Sequence, residues 1–118
     1  MHRITLLFFT LFSISSSLLL AQEKQKKVFT FAINQDIDPG MNRRVKLALE
    51  QAEELKVDVI LIEMDTYGGA VTDADEIRTR ILESKIPVYV FINKDAASAG
   101  ALISIACDSI FLLFSEIR

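Results

Sequence analysis

Residues 57–69 read VDVILIEMDTYGG, and this stretch decides the fold. Its first eight positions, 57–64, are apolar almost without interruption, too continuous for a strand with one wet face, which is the pattern of a strand buried in a parallel sheet. Asp65, Thr66, Tyr67 and the pair Gly68, Gly69 then stop the run with turn chemistry. A parallel strand is entered and left through crossovers, so the flanking sequence must supply helices. It does so on both sides.

Upstream, 28–33 (VFTFAI) is a short run of strand formers, followed by the turn residues 36–40 (DIDPG). Asp38 before Pro39 has the form of an N-cap with proline in the first helical turn, where its missing N–H costs nothing. Met41, Val45, Ala48, Leu49, Ala52 and Leu55 then recur at helical spacing, with Arg43, Arg44, Lys46, Glu50 and Glu53 on the opposite side. Downstream, 70–84 resumes a helical period through Val71, Ala74, Ile77, Ile81 and Leu82, and 86–92 (IPVYVFI) supplies a third strand. A short turn at 93–95 leads to a helix of small residues starting at 96–101 (AASAGA) and continuing through Leu102, Ile103 and Ala106. Residues 109–114 (SIFLLF) read as a fourth strand. The alternation predicts one α/β domain with a parallel sheet, right-handed crossovers and helices on its faces.

Composition narrows the function. The 118 residues carry 13 Lys plus Arg against 16 Asp plus Glu, a net charge of -3. With no basic stripe, nucleic acid is excluded as a partner, because phosphate-backbone binding rests on clustered Lys and Arg. The only histidine is His2 and the only cysteine Cys107. No internal disulfide is possible, and without His2 neither a Ser-His-Asp triad nor a His-bearing zinc site can be built within the chain. His2 falls in residues 1–21 (MHRITLLFFTLFSISSSLLLA), which have the basic start, apolar body and small final residue of a secretory signal peptide cleaved after Ala21. The other reading is an uncleaved anchor, since the apolar body approaches the roughly 20 residues that cross a bilayer. Either way the domain is exported or membrane-associated, on the extracytoplasmic side. Residues 22–27 (QEKQKK) form a polar arm, and 28–118 is the folded unit.

Ligands of parallel α/β sheets gather beyond the carboxyl ends of the strands. Two loops fall there. In the first, Gly68 and Gly69 allow a tight turn and bring backbone N–H groups close to a ligand. In the second, Ser98 sits where a helix begins, with the Ala99 N–H beside it and Gly100 following, so that a hydroxyl and an oxyanion donor are neighbours. Each loop also has a plain reading: a serine opening a helix is commonly an N-cap, and a glycine pair after a strand is commonly just a turn. Their occurrence on successive strand ends is what favours chemistry.

The residues Asp65 to Gly69, the strand 87–92, the run 93–101 (NKDAASAGA) and 105–110 (IACDSI) together resemble the NfeD-type membrane-bound serine proteases of the ClpP class, with the signal peptide peptidase A and ClpP branches more distantly similar. The resemblance spans about 28–112. It implies a ClpP/crotonase-like fold and peptide hydrolysis through a serine acyl-enzyme, with no cofactor and no metal. By motif position it implies Ser98 as nucleophile, the Gly69 and Ala99 amides as oxyanion hole, and Gly68 and Gly100 as supporting turn residues. Its partners would be a hydrophobic peptide or membrane-protein segment, and a homo-oligomer is compatible with it.

Two departures stand out. The more frequent proline before the glycine pair is Tyr67 here. The family also resembles a Ser-Lys dyad whose lysine follows well downstream, and residues 113–118 (LFSEIR) do not match the Pro/Gly/Ser-rich loop expected after the fourth strand. The sequence thus reads as the N-terminal part of such a domain, incomplete at its C-terminus and inactive for want of that lysine. A serine hydroxyl needs a nearby base, and Lys94, the one lysine close in sequence, reads as a hydrated turn residue. Asp73, Asp75 and Glu76 read as a wet helix face rather than a metal site, and Cys107 as a core thiol. An apolar fourth strand left unpaired predicts low solubility. Two other functions fit parts of the sequence: a non-catalytic ClpP-like module binding hydrophobic peptides or a membrane partner, and a crotonase-type acyl-CoA enzyme, against which the export signal argues.

Overall fold

The structure is a computed structural model and describes residues 23–113. The expected signal peptide and Phe114 of the fourth strand lie outside the described residues. Strands and helices alternate as β1 (Val28–Ile33), α1 (Pro39–Glu54), β2 (Val59–Thr66), α2 (Val71–Glu83), β3 (Val88–Ala96), α3 (Ala99–Ser104) and β4 (Ser109–Leu112). The sheet order is β1-β2-β3-β4 with every pairing parallel.

Asp38 adopts extended backbone and its Oδ1 accepts the Met41 N–H at 2.7 Å, capping α1. The helix buries Met41, Val45, Leu49 and Ala52, the predicted stripe. Leu55 is not part of it: the helix ends at Glu54, and Leu55, as the C-cap residue, is 53% exposed. In α2 the stripe is Ala74, Ile77 and Ile81; Val71 and Leu82 lie off it and are exposed.

Alternate residues of the strands, Ile33, Ile60, Ile62, Met64, Val88 and Val90, join the buried residues of all three helices in one core. Sequential strand order with right-handed crossovers puts every helix on the same side of the sheet. This corrects two expectations. Helices cover one face, not both, and β2 is not buried on both sides: Glu63 is exposed, and Val59, Leu61 and Asp65 are only half-buried. The apolar alternates, Val59 and Leu61, gave the sequence its continuous look.

The strand ends also differ from expectation. β2 starts at Val59, because the Asp58 and Val59 amides are spent on the Lys27 carbonyl, and it runs on through Asp65 and Thr66. β3 runs through 93–95, which the sequence suggests as a turn, and reaches Ala96, where Thr66 pairs with it beyond an irregularity. The following helix therefore starts at Ala99. Both extensions carry the chain further toward the loops at the carboxyl edge. β4 pairs only with β3 among the described residues, leaving Ile110, Phe111 and Leu112 about half exposed.

The cap on α1 sets where the first crossover begins. Replacing Asp38 with Ala removes the acceptor for Met41 and is expected to cost about 0.5–2 kcal/mol, read as a lowered midpoint in urea with unchanged slope.

Candidate active site

Thr66, at the last position of β2, is 3% exposed and lies on the core face two residues beyond Met64. Its hydroxyl donates to the Gln35 carbonyl at 2.7 Å and accepts the Gly68 N–H at 3.2 Å. The chain then turns sharply: Gly68 has φ 114 and Gly69 φ 153, a region that side chains avoid. Ile37 closes on this turn from the β1–α1 loop. Its N–H donates to the Gly68 carbonyl at 2.8 Å, and its carbonyl accepts the Ala70 N–H at 2.7 Å. The approach is so close that a Cβ on Gly69 would stand 2.2 Å from the Ile37 carbonyl oxygen.

The second loop leans on the first. The Ala97 N–H donates to the Thr66 carbonyl at 3.0 Å, and a Cβ on Gly68 would stand 3.0 Å from Ser98 Cβ and 3.2 Å from the Ala99 nitrogen. The turns that the sequence suggested as partners are therefore in direct contact. Gly100 is buried, and a Cβ there would come within 2.7 Å of Thr66 Cγ2.

Ser98 is exposed and has φ 50, ψ -112. A non-glycine residue held there costs on the order of 1–3 kcal/mol and persists only where the surroundings impose it. It stands at the N-cap position of α3, yet its side chain makes no capping bond. The ordinary reason for a serine at this place is thus absent. Its carbonyl instead accepts the N–H groups of Ala101 at 3.0 Å and Leu102 at 3.2 Å. Among the described residues the Gly69 and Ala99 amides donate no hydrogen bond, whereas the Gly68 amide is engaged by Thr66. One of these two amides, that of Ala99, directly follows the exposed Ser98, and the other, that of Gly69, follows the glycine that packs against Ser98.

An open cleft of about 300 Å³ lies alongside, lined by Asn34, Gln35, Asp36, Asp65, Thr66, Tyr67 and Lys94. Tyr67 is 78% exposed and Val71 72%, so both sides of the glycine turn present apolar surface. Lys94 is exposed on β3. The carboxylates Asp73 and Glu76 are not simply a wet face: both accept from the Asn42 amide, at 2.9 and 2.7 Å, and Arg80 bonds to Asn42 and Glu76, clasping α1 to α2. Among the described residues no cluster of three or more His, Cys, Asp or Glu is placed to hold a metal ion. Cys107 packs against the core, its thiol directed at the Ile103 carbonyl. Burial, with a smaller contribution from the Asp108 carboxylate, raises its pKa from 9.0 to about 12.

Sequence reasoning missed Thr66 and Ile37. Thr66 had a signal, the every-second-residue pattern Ile60, Ile62, Met64 extended by one step. Ile37, 1% exposed, had none beyond being the one large apolar residue within DIDPG.

Parallel strands in sequential order, three helices on one side and two touching loops at the carboxyl edge define a ClpP/crotonase-like domain. Solved structures bear this out. The 1510-N membrane-bound stomatin-specific protease of Pyrococcus horikoshii, as a lysine-to-alanine mutant with a substrate peptide, superposes with TM-score 0.69 at 28% identity, over 76% of this chain and 42% of that one. ClpP1 from Listeria monocytogenes gives TM-score 0.64 at 31% identity, over 66% of this chain and 46% of that one. An enoyl-CoA hydratase from Mycobacterium ulcerans, at 14% identity and TM-score 0.65, shares the fold alone.

Within that class, the chain belongs to the family of the NfeD1b N-terminal domain, whose pattern matches residues 27–116. The membrane protein NfeD1b of Bacillus subtilis is 31% identical over 110 residues, 93% of this chain and 25% of the relative. The membrane-bound protease PH1510 of Pyrococcus horikoshii is 40% identical over 57 residues, 46% of this chain and 13% of the relative. The chain thus spans a quarter or less of these curated relatives. Among its described residues no helix is long and apolar enough to cross a membrane.

Two measurements check the geometry. Gly69→Ala forces a Cβ into the Ile37 backbone and is expected to destabilise the fold by more than about 2 kcal/mol, or to prevent folding; calorimetry of the variant decides. Cys107 should resist iodoacetamide at pH 8, since the thiolate is the reactive form. Its raised pKa contributes stability that is complete below pH 9 and declines as pH climbs from 9.0 toward about 12, because the unfolded thiol ionises first. A Cys107→Ser variant should show a flatter decline over that window.

Proposed function

We propose that this chain is a serine-type peptidase domain of the NfeD/ClpP class, acting on apolar peptide segments at a membrane. Ser98 is the nucleophile: its Oγ adds to the scissile carbonyl, and the Gly69 and Ala99 amides receive the oxygen as it becomes negative. Gly68 and Gly100 shape the two turns that let these groups converge. The observation that carries the reading is the pairing of a strained, exposed, non-capping serine with two amides that have no partner among the described residues. The exposed Tyr67 and Val71 beside the turn suit an apolar substrate. The similar 1510-N protease was solved with a substrate peptide after a lysine was replaced by alanine, which supports a Ser-Lys chemistry in this family.

Residues 1–118 taken alone should not turn over peptides. Among the described residues no side chain hydrogen-bonds the Ser98 hydroxyl, and Lys94 is exposed, whereas a lysine base must lose its hydration to be neutral near pH 7. The exposed Tyr67 and Val71 beside the glycine turn also suit a second reading, a non-catalytic ClpP-like module that holds hydrophobic peptides or a membrane partner. Residues 1–21 would deliver either to the extracytoplasmic side as a signal peptide, and the half-exposed β4 edge suits association with a second copy.

An activated ester separates the two, because its leaving group needs no general acid and hydroxide can stand in for the base. With the p-nitrophenyl ester of an apolar acyl group, the protein is expected to release about one equivalent of nitrophenolate in a burst whose rate climbs with pH, and Ser98→Ala should abolish it. A peptide that binds while no burst occurs establishes the binding module instead.

A further inference from the structure

Four separate contacts converge on Thr66. Its hydroxyl hydrogen goes to the Gln35 carbonyl and its lone pair takes the Gly68 N–H, at 2.7 and 3.2 Å. Its own carbonyl holds the Ala97 N–H at 3.0 Å. Its methyl group occupies the space over Gly100, where an added Cβ would come within 2.7 Å of it. Through Gly68 it reaches the residue before one open amide, that of Gly69. Through Ala97 and Gly100 it holds the residues on either side of Ser98 and Ala99. A single buried side chain, 3% exposed, therefore ties the β1–α1 loop, the glycine turn and the serine bend together.

We propose that Thr66 is a positioning residue for acyl transfer, setting the separation between the Gly69 and Ala99 amides without touching the substrate itself; the inference rests on Ser98 being the nucleophile. The hydroxyl is what a hydrophobic residue on this face of β2 lacks. Ile60, Ile62 and Met64 need only fill space, whereas position 66 must also fix the Gly68 peptide plane, and with it the direction in which the next amide points. Without the hydroxyl, Gly68 loses its acceptor and the turn loses its link to Gln35. Displacements of about 1 Å in such groups lower rates by about 100-fold.

The test uses two substitutions that divide the side chain. Thr66→Val keeps the shape and the methyl group but puts a second methyl in place of the hydroxyl; Thr66→Ser keeps the hydroxyl but not the methyl. In the activated-ester assay, Thr66→Val is expected to slow acylation about 10- to 100-fold, with the ester concentration giving half-maximal rate changed less than about twofold; it should also melt lower, because the Gly68 N–H loses its acceptor in a buried place, so rates are compared well below its melting temperature. Thr66→Ser should stay within about threefold of the unsubstituted rate even if it melts lower. Acylation by Thr66→Val at the unsubstituted rate, or a tenfold or greater loss in Thr66→Ser, overturns the assignment; the second outcome applies even where Thr66→Val does not fold. Ser98→Ala run alongside distinguishes the failures. If it acylates like the parent, or if the parent shows no burst, the nucleophile assignment falls and takes this inference with it. If it is inert while Thr66→Val is fast, only the role of Thr66 falls.

Discussion

Everything at the carboxyl edge of this sheet depends on how closely the backbone at Ile37 approaches the backbone at Gly68 and Gly69. Two hydrogen bonds of 2.8 and 2.7 Å, one donated and one accepted by Ile37, hold the glycine turn against the β1–α1 loop. Such an approach leaves no room for a side chain, so the contact exists only because residue 69 has none. Since buried backbone groups must find partners, this pairing satisfies two loops at once and resumes the parallel β1–β2 pairing beyond the end of the strands, slipped by one residue, as the isolated bridge between Ile37 and Gly69. The glycine turn is consequently part of the sheet's frame and not a free excursion from it.

That constraint propagates to the serine. With the glycine turn fixed, Gly68 presents its bare face to Ser98 and Ala99, and the β2 end at Thr66 takes up the Ala97 amide. These contacts grip the chain on both sides of Ser98, which stands with φ 50 at the head of a six-residue helix. The local cost, on the order of 1–3 kcal/mol, is offset by packing of α3 through Ala99 and Ile103 into the common core. Fold stability and site geometry are therefore coupled through α3, the shortest helix and the one nearest the half-exposed β4 edge.

The sequence discloses the architecture better than the details at strand ends, for a physical reason. Apolar stripes at Met41, Val45, Leu49 and Ala52, or at Ala74, Ile77 and Ile81, report burial directly, and burial is what periodicity measures. The extension of β3 through Asn93, Lys94 and Asp95 has no such signal, since these exposed or half-buried residues lie in the irregularity opposite Asp65, and the pairing resumes only at Ala96 with Thr66. Likewise the one-sided placement of the helices cannot be seen in β2 by itself: Val59 and Leu61 are apolar on the uncovered face, so a half-covered strand looks like a buried one. The candidate site was legible as two loops because glycine pairs and small-residue runs are rare enough to stand out. What joins them, Thr66 and Ile37, was not, because neither residue type distinguishes a hub from ordinary core.

The Asn42 clasp shows the same distinction from the other side. A charged triplet on α2 invites either a solvent reading or a metal reading, yet Asp73 and Glu76 both accept from an amide 8% exposed, and Glu76 also meets Arg80. Only the Asn42 end of this link is buried; Arg80 and Glu76 are 31% and 52% exposed, so solvent screens the charges and the link adds little stability while still joining α1 to α2. Because α1 follows directly from the Ile37 loop and α2 directly from the glycine turn, joining the helices ties together the two ends that clamp around residue 69. A substrate bound across the turn would meet a preformed backbone frame, held from beneath by Thr66 and from the helical layer by Asn42, with little ordering left to accomplish on binding.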